Sequence, residues 1–343
     1  RKLLDRAKQR GERISNPLEA EKAAEMFSAE NIEGLVILNS AFPNGNVFLT
    51  FAANPYLRHI PTILTSPPEI RLESAEWSTN AYCGLIMNNY VAKRISRHMF
   101  TLPGWPDDED YQNRFRELLC VIYAVKELRK DLLGRFGDAP GGFHSASGDQ
   151  LAYAKTFGTR IETVDWTAVM ETYRTQKAKG YKGESEFNEI EVDKTFKNMI
   201  SGKEILINED KIKKAARLYH AFKAIIESNG FTSSAFRCWP EMLEPYIDNA
   251  PCLSISWLLS ERIVLSAACE GDWPSAVAQS IGTLLSGEPC LCLDFVNHIG
   301  GKPVVELGHC GVGLNGFMEN GKITEKSPDR QGGQLTGPAY IGQ

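Results

Sequence analysis

Two acidic residues, Glu270 and Asp294, stand 24 positions apart, each at the edge of an apolar run. Ile263–Cys269 reads as a strand that runs into Cys269-Glu270-Gly271-Asp272-Trp273-Pro274. Cys290–Leu293 reads as a second buried strand, ending at Asp294. Between the two, Asp272 can cap a helix whose early turn tolerates Pro274, and Gly287 stops it. The segment is therefore read as a βαβ unit with Glu270 and Asp294 each just past the carboxyl end of a strand, the edge at which open parallel sheets bind ligands. Neighbouring strands lie about 4.8 Å apart, so carboxylates placed there can share one divalent cation or work as an acid/base pair. Lys302–Leu307 reads as the next strand and brings His309, in Gly308-His309-Cys310-Gly311, to the same edge. A Glu, an Asp and a His together suit Mn²⁺ or Mg²⁺ better than structural zinc. On spacing alone, a helix cap and a turn residue are the commoner readings of the two carboxylates, and His309 between glycines reads as a turn or packing residue.

The elements that must position these residues fill 343 residues, a length that suits two or three domains of about 100–200 residues each. In the first part, a helix near Glu19–Glu30, strands at Gly34–Leu38 and Ile60–Thr65, and a crossover helix over Val47–Leu57 alternate. A long helix near Tyr111–Leu133 follows, with apolar positions at three- and four-residue spacing. Leu132–Phe143 reads as a helix end, a poor strand and a Gly-rich turn. Thr175–Glu189 reads as a linker or exposed helix start, and Asp210–Asn229 as a helix. Ser234–Trp239 and Leu253–Leu258 follow as possible strands. The fold class expected is α/β, with two Rossmann-like doubly wound parallel-sheet domains, 1–171 and 172–300, and the start of a mostly β domain over 301–343.

Composition narrows the function classes. Thirty-eight Lys+Arg against 43 Asp+Glu leave a net charge of −5, which argues against a generally basic nucleic-acid surface. No apolar run approaches the roughly 20 residues of a membrane helix, and Arg1–Arg6 reads as part of a helix rather than a leader. The eight cysteines, Cys83, Cys120, Cys238, Cys252, Cys269, Cys290, Cys292 and Cys310, sit mostly in apolar stretches without Cys-x-x-Cys, and read as reduced thiols of a cytoplasmic protein. Gly311–Gly316 fits G-x-G-x-x-G, but a turn follows where a pyrophosphate-binding helix should begin. Asp107–Asp110 reads as a solvated helix start, His144 as a turn residue, and Trp77 and Trp105 as packing residues. Arg237-Cys238-Trp239-Pro240 ends a possible strand and is a candidate cleft lining.

Cys269–Trp273 (CEGDW), the helix after it, the LDF of 293–295 and ELGHCG of 306–311 together resemble the L-fucose/L-arabinose isomerase superfamily, and more closely its fucose-isomerase-like branch. GRFGDAPGGF of 134–143 and GGQLTGP of 332–338 resemble its first-domain turn and its C-terminal β region. The resemblance implies a Mn²⁺-dependent aldose–ketose isomerase (Mg²⁺ or Co²⁺ being alternatives) that works on a monosaccharide or modified sugar through an enediolate. Glu270 and Asp294 would then be metal ligands and the acid/base pair, with His309 matching a histidine of the arabinose-type pattern. It further implies a homo-oligomer, trimer or hexamer, a further ligand histidine with no match here, and a chain lacking both ends of the full protein. A non-catalytic sugar-binding or regulatory protein on the same scaffold is the competing expectation.

Overall fold

A computed structural model describes residues 14–69, 74, 79–239, 249–301, 304–309, 311–315, 321–325 and 333–336. The helix expected over Arg1–Arg6, Trp77, Pro240, Cys310 and the stretch 337–343 lie outside the described residues. The protein is mixed α/β with parallel sheets and divides into two compact units, Arg1–Lys126 and Glu127–Gln343.

In the first unit, α1 (Pro17–Ala29), β1 (Leu35–Leu38), α2 (Gly45–Ala53), β2 (Thr62–Ser66), α3 (Ala81–Arg94), β3 (Phe100–Pro103) and most of α4 (Glu109–Leu128) alternate along the chain. The three strands form a parallel sheet in the order β1-β2-β3. Helix α1 starts where the Asn16 side chain accepts the Glu19 amide, with Pro17 at its first position. Arg97 is buried and donates to the carbonyls of Phe51, Ala52 and Leu57, so the loop ends around α2 are tied by one guanidinium. Ile63, Leu102, Tyr111 and Ile122 pack the face that α4 covers.

The second unit holds the sequence-predicted site residues. Its main sheet is parallel, in the order β10-β9-β4-β5, from β4 (Leu132–Phe136), β5 (Arg160–Val164), β9 (Ser233–Phe236) and β10 (Ala267–Ala268). After β5 the chain crosses to the far side of β4, so the order reverses between β4 and β9, and the crevice outside the carboxyl ends of such strands is where open sheets take ligands. Phe136, Phe222 and Phe236 are fully buried, with ring centroids 4.5–5.3 Å apart. Gly134 is required by close packing: a Cβ there would stand 2.4 Å from the Phe231 ring. Around this core lie α5 (Gln150–Phe157), α6 (Trp166–Thr175), a hairpin of β6 (Lys177–Gly180) and β7 (Gly183–Glu186), α7 (Glu189–Ile200), β8 (Glu204–Ile205), α8 (Glu209–Asn229), α9 (Cys252–Ser260) and α10 (Trp273–Ser286). A ribbon of β11 (Asp294–Ile299) and β12 (Val304–Gly308) follows, then β13 (Lys322–Glu325) and β14 (Gly333–Thr336), which join β8 in a small sheet.

Several expectations are corrected here. Leu132–Phe136, expected to pass from a helix end into a poor strand, is a central strand throughout, and Thr175–Glu189 contains the β6/β7 hairpin rather than a linker. Leu253–Leu258 lies in a helix, not a strand. It is buried on every side, so its apolar run has no period to separate the two. Cys290–Leu293 is irregular, and β11 begins at Asp294 in an antiparallel ribbon. The reason is local: Gln279 of α10 accepts the Ala267 amide at 2.9 Å and donates to the Cys290 carbonyl, taking the edge of β10 that a further strand would need. The compact division falls at Lys126/Glu127, and β4 and β5 share a sheet with β9 and β10.

Candidate active site at the carboxyl edge of the parallel sheet

Glu270 follows β10 directly, and its position is fixed by a turn held on several sides. Glu270 and Gly271 both adopt left-handed backbone, with φ of 62° and 64°, a region uncommon for residues that carry a Cβ. The Gly271 amide donates to the Phe236 carbonyl of β9 at 2.9 Å. The Gly271 carbonyl accepts the Trp273 amide at 2.9 Å and Arg135 Nε at 3.2 Å. Gly271 suits the place for a second reason: a Cβ there would lie 3.1 Å from the Asp138 carbonyl oxygen of the loop after β4. Asp272 then caps α10, accepting the Ser275 amide at 2.9 Å and its hydroxyl at 2.6 Å, with Pro274 in the first turn and Gly287 as the left-handed stop, as the sequence pattern implies.

Beneath the turn the walls are dry. Cys269 is buried, and its hydrogen bonds with Cys238 and Cys252, together with burial, hold its thiol well above the usual range. Trp273 is buried and packs edge-on against Tyr153 at 4.8 Å.

Asp294 arrives by a different route. It is exposed at the first position of β11 and pairs with Gly308 of β12, which sets His309, the next residue, beside it at one end of the ribbon. His309 Nδ1 accepts the Val312 amide at 3.4 Å. The half-buried Cys292 links the two sides. Its thiol is pushed up first by burial and then by the negative charges of Asp272, Asp294 and Glu270, while Ser275 acts in the opposite sense.

Carboxylate oxygens are the donors that Mn²⁺ and Mg²⁺ prefer, and the half-buried Glu270 and the exposed Asp294 are of that chemistry. Among the described residues, no three His, Cys, Asp or Glu side chains close into a metal-ligand group, so Glu270, Asp294 and His309 do not form a complete shell.

The sequence reading passed over Arg135 and Cys292. Arg135 is a charged residue in the otherwise apolar run Leu132–Phe136, and a buried charge requires partners; that was the available signal. Arg237 follows β9 and donates Nε to the Trp239 carbonyl at 3.2 Å, shaping the loop at the same edge. Gly311–Leu314 is packing: the Gly313 amide binds Ser256 Oγ at 3.0 Å, and Val312 and Leu314 enter the core. Asp108–Asp110 leads into α4, Trp105 is exposed, and His144 starts a short 3₁₀ turn.

The chain is a mixed α/β protein with Glu270 and the helix cap Asp272 just past the carboxyl end of a strand of its parallel sheet. No family model matches the chain. It is similar to sulfoquinovose isomerases: 25% identical over 300 residues to that of Alkalicoccus urumqiensis, covering 84% of this chain and 64% of that protein. It is also 25% identical over 272 residues to that of Clostridium sp. (strain MSTE9), covering 77% and 58%, and 25% over 222 residues to that of Priestia aryabhattai, covering 64% and 47%. The chain thus spans less than two thirds of the length of these relatives. No described helix is long and apolar enough to cross a membrane.

Proposed function

We propose that this chain carries the acidic centre of an aldose–ketose isomerase for a monosaccharide or modified sugar, with sulfoquinovose the substrate to try first. The observation that supports this reading best is the position of Glu270, in the turn directly after β10 at the carboxyl edge of the parallel sheet. The likeness to sulfoquinovose isomerases, and the resemblance of the same segment to the fucose-isomerase-like branch, point the same way.

The reaction moves a proton between C2 and C1 while the carbonyl and hydroxyl exchange places. In the proposed scheme one carboxylate of the Glu270/Asp294 pair takes the C2 proton, leaving an enediolate, and returns it to C1. The other passes the hydroxyl proton between O2 and O1. Asp272 is committed to capping α10 and serves as structure, not as base. Mn²⁺, with Mg²⁺ or Co²⁺ as substitutes, would be held by Glu270 and Asp294, with His309 beside them, and would supply Lewis-acid polarisation of the sugar carbonyl. A cytoplasmic homo-oligomer, trimer or hexamer, belongs to the same proposal.

The test is to strip the purified chain with EDTA and assay sulfoquinovose and a panel of aldoses before and after adding Mn²⁺. The reading expects activity that disappears on stripping and returns with the metal. Turnover undiminished by complete metal removal rejects the metal-dependent scheme. Calorimetric sugar binding with no turnover on any sugar would instead support the non-catalytic binding protein.

A further inference from the structure

We infer that Arg135 is a positioning residue that holds the Glu270 turn in its working conformation. The inference rests on the isomerase reading for the role of Glu270, and on geometry for everything else. The Arg135 side chain is 7% exposed, although it carries a charge from the middle strand of the sheet. Its contacts with Gly271, Asp138 and Ser147 connect two loops. Nε donates to the Gly271 carbonyl at 3.2 Å, Nη2 pairs with Asp138 Oδ1 at 2.6 Å, and Nη2 approaches Ser147 Oγ at 3.4 Å. The guanidinium therefore ties the loop after β4 to the turn after β10, directly beside the residue assigned as base. Burial lowers the affinity of this group for its proton, and Asp138 and Asp272 oppose that effect.

The turn needs such a tie. Glu270 has φ of 62°, and the residue after it is also left-handed. A Cβ-bearing residue stays in that region when its surroundings over-determine it. Here the surroundings are the Phe236 carbonyl on the Gly271 amide and Arg135 on the Gly271 carbonyl. The Phe236 carbonyl on the Gly271 amide holds the peptide plane after Glu270, and the charged donor on the Gly271 carbonyl holds the next plane, between Gly271 and Asp272, so the two together keep the left-handed turn from which the Glu270 side chain leaves the backbone. Without Nε–H the Gly271 carbonyl keeps only the Trp273 amide, a bond that a relaxed turn can also make. Through Gly271, Asp138 and Ser147, Arg135 acts on the turn and the loop after β4.

Arg135→Met and Arg135→Lys in the full chain test this, with three readouts: Mn²⁺ affinity by electron paramagnetic resonance, kcat and KM separately, and amide hydrogen exchange across 269–273. Partners that orient a metal ligand typically matter about 10–100-fold. Arg135→Met is therefore expected to weaken Mn²⁺ binding and lower kcat by at least about tenfold, with sugar KM little changed and exchange at the Gly271 and Asp272 amides faster. Arg135→Lys keeps the charge without the forked donor and should recover part of each loss. Should Arg135→Met fail to fold, Arg135→Lys decides: wild-type affinity, kcat and exchange in that variant overturn the inference. A wild-type chain that neither binds Mn²⁺ nor turns over any sugar fails the isomerase reading instead. In that case unchanged exchange in the Lys variant still counts separately against the tie.

Discussion

The two carboxylates of the proposed site are held in opposite ways. Glu270 sits on a turn wedged between the loops after β4 and β9, with a buried arginine on one carbonyl and a capped helix leaving it. Asp294 opens a two-stranded ribbon on which Phe295 is 79% and Val296 61% exposed. A two-stranded ribbon alone is marginal in water. One half of the site is thus built by the core of the sheet, and the other half is carried on an element with little packing of its own. The lesson is that substitutions near Glu270 should disturb folding and chemistry together, whereas those on the ribbon should disturb chemistry alone.

The largest effect should come at Glu270 itself. Glu270→Gln removes a base and a ligand while keeping shape, so turnover should drop by about 10²–10⁴-fold, with an unfolding midpoint close to wild type. Asp294→Asn should match it in turnover with even less effect on the midpoint, since that side chain is exposed.

Next in size is Gly271→Ala. The new Cβ sits in left-handed backbone and 3.1 Å from the Asp138 carbonyl oxygen, a cost of about 1–2 kcal/mol that denaturant unfolding would read. Gly300→Ala, between the ribbon strands with nothing within 4 Å of its Cβ, is the contrast, expected within about 0.5 kcal/mol of wild type. If the two alanines cost the same, the wedge around Glu270 is not what stabilises that turn.

Asp272→Ala removes the cap of α10 and should cost about 1 kcal/mol, again visible in unfolding. The smallest effect is predicted for Phe295→Ser, within about 0.5 kcal/mol, because that ring is mostly in solvent. A large loss there would mean that the ribbon is covered in solution.

The sequence disclosed what is decided by neighbours along the chain. Helix α10 was legible from Asp272, Pro274 and Gly287, because caps and stops act within one turn. Helix α8 was legible from its apolar spacing, and β1, β2 and β9 from short apolar runs. Leu253–Leu258 was misread because burial on all sides erases periodicity. Cys290–Leu293 was misread because its competitor for the sheet edge is a side chain on α10, Gln279, which no local pattern reveals. Of the site, Glu270 and the cap at Asp272 were placed at the sheet edge from sequence. Asp294 was assigned to a strand end and instead starts a ribbon. Arg135 is not singled out by the sequence because its stretch reads as a helix end and a poor strand, and its partners, Gly271 and Asp138, lie 136 and 3 positions away.

The account turns on Glu270 and Asp294 serving one cation, and a Mn²⁺ titration followed by electron paramagnetic resonance tests it most directly. Wild-type chain should bind one Mn²⁺ per chain, and Glu270→Gln and Asp294→Asn should each weaken that same site by at least about tenfold. Loss in the Glu270 variant alone, with the Asp294 variant titrating like wild type, would contradict it.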